Sequence, residues 1–249
     1  MAGHSHWARI KRAKAVTDAR RGKQWSKLSR AIIVAARIGG GDPAMNLQLR
    51  YAIDAAKAAN MPKDTIERAI KKGAGALEGA NFEEIAYEGY GPGGAAIIAV
   101  ALTDNRNRTA PEVKRIFEMR GGNLGVPNCV SWMFAKQGVL FFAKSAASEE
   151  TITTIALEAG ADDVLAIGDE GFQVTCAPES FSSLRAAFDQ AGIKAESAEL
   201  TLSASSQVEL SGADAEKIVA LIDALEDHDD IQNVYSNFEL ADGDAAGAT

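Results

Sequence analysis

Cysteine is scarce in this chain. Cys129 and Cys176 are its only two, with no C-x-x-C pair, which excludes a disulfide framework and a cysteine-built zinc site and fits a reducing cytoplasm. Long hydrophobic runs are also missing. The longest, "AAIIAVAL" at 95–102, is far short of the roughly 20 residues a helix needs to cross a bilayer. The opening residues lack the apolar stretch of a secretory signal, although an Arg-rich, acid-poor start is also what an organelle transit peptide shows.

Histidine is rarer than most chemistry requires: His4, His6 and His228 are all there is. No Ser, Cys and His combine with a base and an orienting partner, so no nucleophilic constellation is legible and the chain reads as not an enzyme. No Walker A sequence occurs, and "GYGPGG" at 89–94 matches G-x-G-x-x-G only formally. Its glycines precede an apolar strand-like run, whereas a dinucleotide loop must open a helix. No cofactor, metal or small-molecule substrate is indicated. For His4 and His6, hydrogen bonding to phosphate is more economical than holding an ion.

Acidic residues are nearly absent from one stretch. "HSHWARIKRAKAVTDARRGKQWSKLSR", His4 to Arg30, carries nine Lys or Arg against the single acid Asp18, although the formal charge of the whole chain is −8. Residues 1–72 hold 16 basic and 5 acidic side chains, net +11; residues 73–249 hold 10 and 29, net −19. So many like charges repel one another unless a polyanion neutralises them. Nucleic acid fits better than a membrane, because no lipid-facing apolar stretch accompanies the charge.

The hydrophobic pattern predicts a basic arm over 1–20 and a helical domain over 21–75. A first helix from near Gly22 places Trp25, Leu28, Ile32, Ala35 and Ala36 on one face and Lys23, Lys27, Arg30 and Arg37 on the other. "GGGDP" at 39–43 ends it and starts a second helix, with Asp42 as N-cap, Pro43 at the first helical position, and Leu47, Tyr51, Ala55 and Ala58 inward. A third helix runs from Pro62 and is closed by Gly73. Beyond the linker "GAGALEGAN", the order is hairpin, helix and a strand "CVSWMF". Strand, helix, strand, strand, helix, strand then follow within 137–205, the ferredoxin-like order. A last helix and the strand "IQNVYSNFEL" complete the earlier unit. The expected fold is therefore α+β: a three-helix N-terminal domain, then two α/β domains of ferredoxin-like type, with 137–205 inserted between 80–136 and 206–240. Residues 241–249 read as a disordered tail.

The candidate nucleic-acid-binding residues are His4, His6, Trp7, Arg9, Lys11, Arg12, Lys14, Arg20 and Arg21 of the arm, and Lys23, Lys27, Arg30 and Arg37 of the first helix. Arg106 and Arg108 in "TDNRNRT" join them, because they flank a helix N-terminus where backbone N–H groups and the dipole suit an anion. The other reading of these two is a polar loop paired with acids of a neighbouring domain. Asp223, Glu226, Asp227, Asp229 and Asp230 cluster at the end of the last helix, where they oppose its dipole; a solvated helix end accounts for them better than a cation site.

The opening "MAGHSHWARIKRAKA", "GGGDP", "AIDAAKAANMPKDTIERAIKKG", "YEGYGPGG", "ALTDNRNRT", "GGNLG", "ALEAGADDV" and "VYSNF" resemble the YebC/PmpR family of probable transcriptional regulatory proteins over roughly residues 1–240. The resemblance implies a three-domain protein, cytoplasmic in bacteria, with no separate presequence. It implies nucleic-acid binding without choosing the nucleic acid. Some members resemble DNA-binding regulators, mitochondrial relatives act as translational activators, and bacterial members have been linked to ribosomes delayed at proline-rich stretches. Two functions follow as expectations: a DNA-binding transcriptional regulator, or a ribosome-associated factor on ribosomal RNA or tRNA. The sequence departs from the family pattern at "NLQLR", where Pro and Arg commonly follow the Asn, so that one cation fewer is present, and at "VPNCVSW", where a Gly/Ser-rich turn is usual.

Overall fold

The structure is a computed structural model that describes residues 18–75 and 82–241, with side chains from Gly22 onward. His4, His6, Trp7, Arg9, Lys11, Arg12 and Lys14 therefore lie outside the described residues, as do the side chains of Arg20 and Arg21 and the tail beyond Ala241.

Helix α1 spans Asp18–Gly39, α2 Leu47–Ala58 and α3 Lys63–Gly73. The first is already helical at Asp18, four residues before the expected start, because Ala19, Arg20 and Arg21 are good helix formers and one glycine at 22 is tolerated. Its apolar face packs as expected: Ile32, Ala35 and Ala36 are buried with Leu49, Ile53, Ala56, Met61, Ile66 and Ala69, and Trp25 and Leu28 close the edge. Trp25 Nε1 donates to the Ala59 carbonyl at 3.0 Å, which satisfies the polar tip of a ring whose body is packed.

The second helix differs from expectation at its start and in its face. Asp42 closes a turn instead of capping a helix: its Oδ1 accepts from Ala44 N at 2.9 Å, and its carbonyl accepts from Asn46 N at 3.0 Å. Asn46 takes the cap. Its Oδ1 accepts from Leu49 N at 3.0 Å, while its Nδ2 donates to the Ala35 and Gly40 carbonyls at 2.8 Å each. Asparagine prevails because it carries both an acceptor for the new helix and two donors for the end of the old one, and aspartate has no donors. Leu49, Ile53 and Ala56 then turn inward and Leu47 is left exposed. A two-residue offset rotates a helix by about 200°, so the predicted stripe of Leu47, Tyr51, Ala55 and Ala58 is nearly the opposite face.

Gly73 ends α3, but not by a left-handed turn; the positive φ of 80° belongs to Gly75. What Gly73 supplies is close approach, since a Cβ there would run into the carbonyl oxygen of Ile33 and the Cβ of Ala36. Gly73→Ala is accordingly expected to destabilise the bundle by about 1–3 kcal/mol through overpacking, measured as a lower urea midpoint of helical circular dichroism.

Strands β1 (Glu83–Tyr90) and β2 (Ala96–Thr103) form an antiparallel hairpin pairing Tyr87 with Ala99. The turn between them contains Gly93 and Gly94, both at positive φ, so "GYGPGG" is a strand-to-strand turn and opens no α-helix. Helix α4 (Arg106–Met119) follows, then a short edge strand β3 (Asn123–Leu124). The expected strand "CVSWMF" is not formed. Ser131–Met133 is a 3-10 turn and β4 (Phe134–Ala143) begins only after it. The reason is Glu88, a buried carboxylate whose oxygens accept from Asn128 N and Val130 N at 2.9 Å each, which pins the chain at the start of that segment and takes the Val130 amide from any ladder.

The block that follows is α5 (Glu149–Glu158), β5 (Asp163–Ile167), β6 (Gly171–Cys176), α6 (Phe181–Gln190) and β7 (Ser197–Ala204). Its sheet order is β5-β6-β4-β7, all antiparallel, the ferredoxin-like arrangement. Phe142 and Phe188 meet at 4.3 Å between ring centroids, tilted by 42°. The expected last strand is broken at Asn237. Helix α7 (Gly212–Glu226) leads into β9 (Ile231–Ser236), which pairs with β2, whereas β10 (Phe238–Leu240) pairs with β8 (Val208–Leu210).

The chain forms two compact units. One comprises Ser131–Glu209 with Asn237–Ala241; the other joins the helical bundle to the sheet β3-β1-β2-β9 and its helices α4 and α7, through Val130 and then Leu210–Ser236. The βαββαβ block is thus inserted within the unit that carries the bundle. Among the described residues no helix is long and apolar enough to cross a membrane.

Candidate nucleic-acid interface

The cationic row of α1 meets the end of α7. Lys23 Nζ donates to the carbonyl of Asp227 at 3.2 Å, Lys27 Nζ to the carbonyl of Glu226, and Arg30 Nη1 to the carbonyl of Asp229. Arg30 Nη1 also pairs with Asp230 Oδ1 at 3.2 Å. The last carbonyls of any α-helix lack intrahelical partners and carry the negative end of its dipole. Lys27 and Lys23 therefore satisfy orphan acceptors at the end of α7, Arg30 bonds the turn just beyond it, and together they offset the charge of the acids gathered there. This supplies a physical account of acids at a helix C-terminus: Asp223, Glu226, Asp227 and Asp229 are exposed, as expected of a solvated helix end, and only Asp230 departs from that reading by being buried. Burial pushes the Lys27 ammonium below the ordinary lysine value, and the charges of Glu226, Asp227 and Asp229 oppose that shift.

Asp230 is the hub. It is 4% exposed, and its Oδ2 accepts from Thr109 Oγ1 at 2.7 Å, Arg108 Nη2 at 2.9 Å and Thr103 Oγ1 at 3.3 Å. Thr103 and Thr109 also bond each other at 2.8 Å. Burial alone would raise the Asp230 carboxyl; hydrogen bonds from Arg108 and Thr109, with the charges of Arg108 and Arg30, outweigh it and hold the group below its ordinary value. One buried carboxylate thus ties the bundle, through Arg30, to the sheet, through "TDNRNRT".

That settles how the two arginines of "TDNRNRT" differ. Asn105 caps α4, its Oδ1 accepting from Arg108 N at 3.2 Å. Arg108 pairs with Asp104 at 3.2 Å and with Asp230, so the anion at this helix N-terminus is one the chain supplies itself. Arg106 stays exposed. His228 closes the same loop: Asp230 N donates to its Nδ1 at 3.1 Å, which leaves the proton on Nε2, 3.1 Å from Glu112 Oε2.

Of the predicted residues, the structure brings Lys23, Lys27, Arg30 and Arg108 together around the end of α7, while Arg37 lies exposed in the last turn of α1 and Arg106 stands apart. Sequence reasoning missed Asp230, Thr103 and Thr109 as partners. The one available signal was that threonines flank both ends of "TDNRNRT". It also passed over the exposed cations Arg50, Lys57, Lys63, Arg68 and Lys71 on α2 and α3. Among these, Arg50 is tied to the 43–44 loop, donating to the Pro43 and Ala44 carbonyls at 3.1 Å each.

Known proteins resemble this chain in sequence and fold. Residues 5–76 match the model of the TACO1/YebC protein N-terminal domain, and residues 82–238 match that of the TACO1/YebC second and third domain. A probable transcriptional regulatory protein of Rhodopirellula baltica is 56% identical over 95% of this chain and 96% of its own length. One of Pelotomaculum thermopropionicum is 51% identical over 97% of this chain and 100% of its own. The crystal structure of a conserved hypothetical protein from Aquifex aeolicus superposes with a TM-score of 0.85 at 48% identity, covering 95% of this chain and 97% of that one. With both family models covering nearly all of its described length and half of its residues shared with such relatives, this chain belongs to the TACO1/YebC family.

Proposed function

We propose that this protein is a regulator that binds nucleic acid through its basic N-terminal end and acts as a DNA-binding transcriptional regulator. The observation that carries the reading is the segregation of charge, net +11 over residues 1–72 against −19 over the rest. The relatives' names, probable transcriptional regulatory proteins, support the regulatory role. The residues assigned to the contact are the arm cations with His4, His6 and Trp7, then Arg20, Arg21, Lys23, Lys27, Arg30 and Arg37, with Arg106 and Arg108 at the base of α4. Their chemistry is phosphate binding, which supplies affinity and position and does not read sequence. Soluble cytoplasmic action without a membrane or a small-molecule substrate goes with this reading.

A specific observation favours a second reading, a ribosome-associated translation factor on ribosomal RNA or tRNA that helps translation of proline-rich stretches. The polar face of α1 lies against α7, so α1 does not present itself as a recognition helix for a major groove. Phosphate-directed contact with a folded RNA needs no such helix. Fluorescence anisotropy with a promoter duplex, the same duplex shuffled, and a ribosomal RNA fragment separates the two. Promoter preference at physiological salt supports the regulator; equal duplex affinities with tighter RNA binding support the translation factor. With about six phosphate contacts, either complex should weaken by roughly 10³-fold between 50 and 200 mM salt; a flat salt response would remove the phosphate-binding basis of both readings.

A further inference from the structure

We infer that the end of α7 is an internal competitor for the phosphate-binding face of α1, so that nucleic acid engages Lys27 and Arg30 fully only when the bundle lets go of that helix end. The inference rests on the nucleic-acid reading above and specifies its regulation.

The geometry carries it. Three cations of one helix face are met by three oxygens within four residues at a helix C-terminus, the carbonyls of Glu226, Asp227 and Asp229, with the Asp230 carboxylate as a fourth. Each acceptor is an oxygen carrying partial or full negative charge, the same kind of partner that a phosphate oxygen offers these cations. An N–H that donates to an oxygen of α7 is not available to a phosphate, and at Lys27 and Arg30 the packing around the side chain limits approach to the remaining donors. Arg30 is 19% exposed and Lys27 is half-buried. Phosphodiester and α7 therefore compete at Lys27 and Arg30, whereas Lys23 is exposed and keeps donors beyond the one it gives Asp227. Arg37, in the last turn of α1 and exposed, remains reachable in the closed form. First contact then falls to cations outside the clamp, and full affinity follows opening. An equilibrium of this kind lowers apparent affinity by the fraction of molecules that are open.

The clamp is weakened without touching a phosphate contact by neutralising the carboxylates around it. The triple variant E226Q/D227N/D229N keeps all three backbone carbonyls and every cation of α1. Three exposed ion-pair contributions removed at the usual size predict nucleic-acid binding about fivefold tighter at physiological salt. The control E149Q/E150Q/E158Q, three exposed acids of the inserted block, changes net charge equally and should stay within about twofold of the parent chain.

Opening is read directly by double electron–electron resonance between spin labels at K57C and K217C, on exposed positions of α2 and α7, in a chain carrying C129S and C176A. The probes are a 20-nucleotide single-stranded RNA and a 20-base-pair DNA duplex. A label distance that lengthens on saturation with either probe, with the triple variant already lengthened in part and binding tighter than the control, is the expected result. Saturable binding with an unchanged distance, or a triple variant no tighter than the control, overturns the competitor and leaves the nucleic-acid reading standing. Failure of both probes to bind at 50 mM salt overturns both.

Discussion

Replacing Asp230 with alanine lowers the stability of the unit that holds it by about 3 kcal/mol, the usual cost of removing one partner from a buried charged pair. The side chain is 5% exposed and receives two threonine hydroxyls and two arginines. Alanine leaves the buried hydroxyls with each other and with the Asn105 backbone, and takes from Arg30, which is 19% exposed, its charged partner, leaving it the Asp229 carbonyl. Arg108, at 47%, loses less because water replaces its partner. Urea unfolding of the D230A and D230N chains measures the loss, and a drop under about 1 kcal/mol in both would show that the hub is dispensable.

The same carboxylate makes stability depend on acid. Its folded value is depressed, so its contribution is complete above the unfolded aspartate value near 3.9 and fades as pH falls through the lower, folded value. The gap between the parent chain and D230N should therefore be constant from neutral pH down to about 4 and narrow below it. A gap that narrows instead between pH 5 and 7 would assign the interaction to another group.

Neutralising the arm has the largest expected effect on binding. With Arg9, Lys11, Arg12 and Lys14 changed to glutamine, affinity for a duplex or a structured RNA at physiological salt should fall by at least about 10²-fold. The salt slope should shrink by roughly four contacts' worth. Changing Lys23, Lys27 and Arg30 in the same way should cost less. Those cations begin in contact with α7, so part of what they gain from phosphate is repaid by what they give up. Isothermal titration at three salt concentrations distinguishes the two sets. Equal losses would mean that α7 does not compete, and no loss for the arm set would move the interface onto the helices.

The three helices, the βαββαβ block and the charge asymmetry were determined by the sequence alone, because each rests on neighbours within one or two turns. The stripe of Ile32, Ala35 and Ala36 could face only one way, and alternating strands closed by turn residues could read only as a sheet. Where two local solutions were nearly equal, packing chose. Leu47–Tyr51 and Leu49–Ile53 are equally spaced pairs, and Asn46, by bonding both α1 and α2, selected the second. The strand expected at "CVSWMF" was undone by Glu88, some 40 residues earlier. The fate of the cations was beyond sequence altogether. Arg30 and Asp230 meet across 200 positions, and whether a charge faces water, phosphate or a helix end depends on which surfaces the tertiary fold brings together. Local pattern placed the cations on one face of a helix; only the folded chain could set that face against the end of α7.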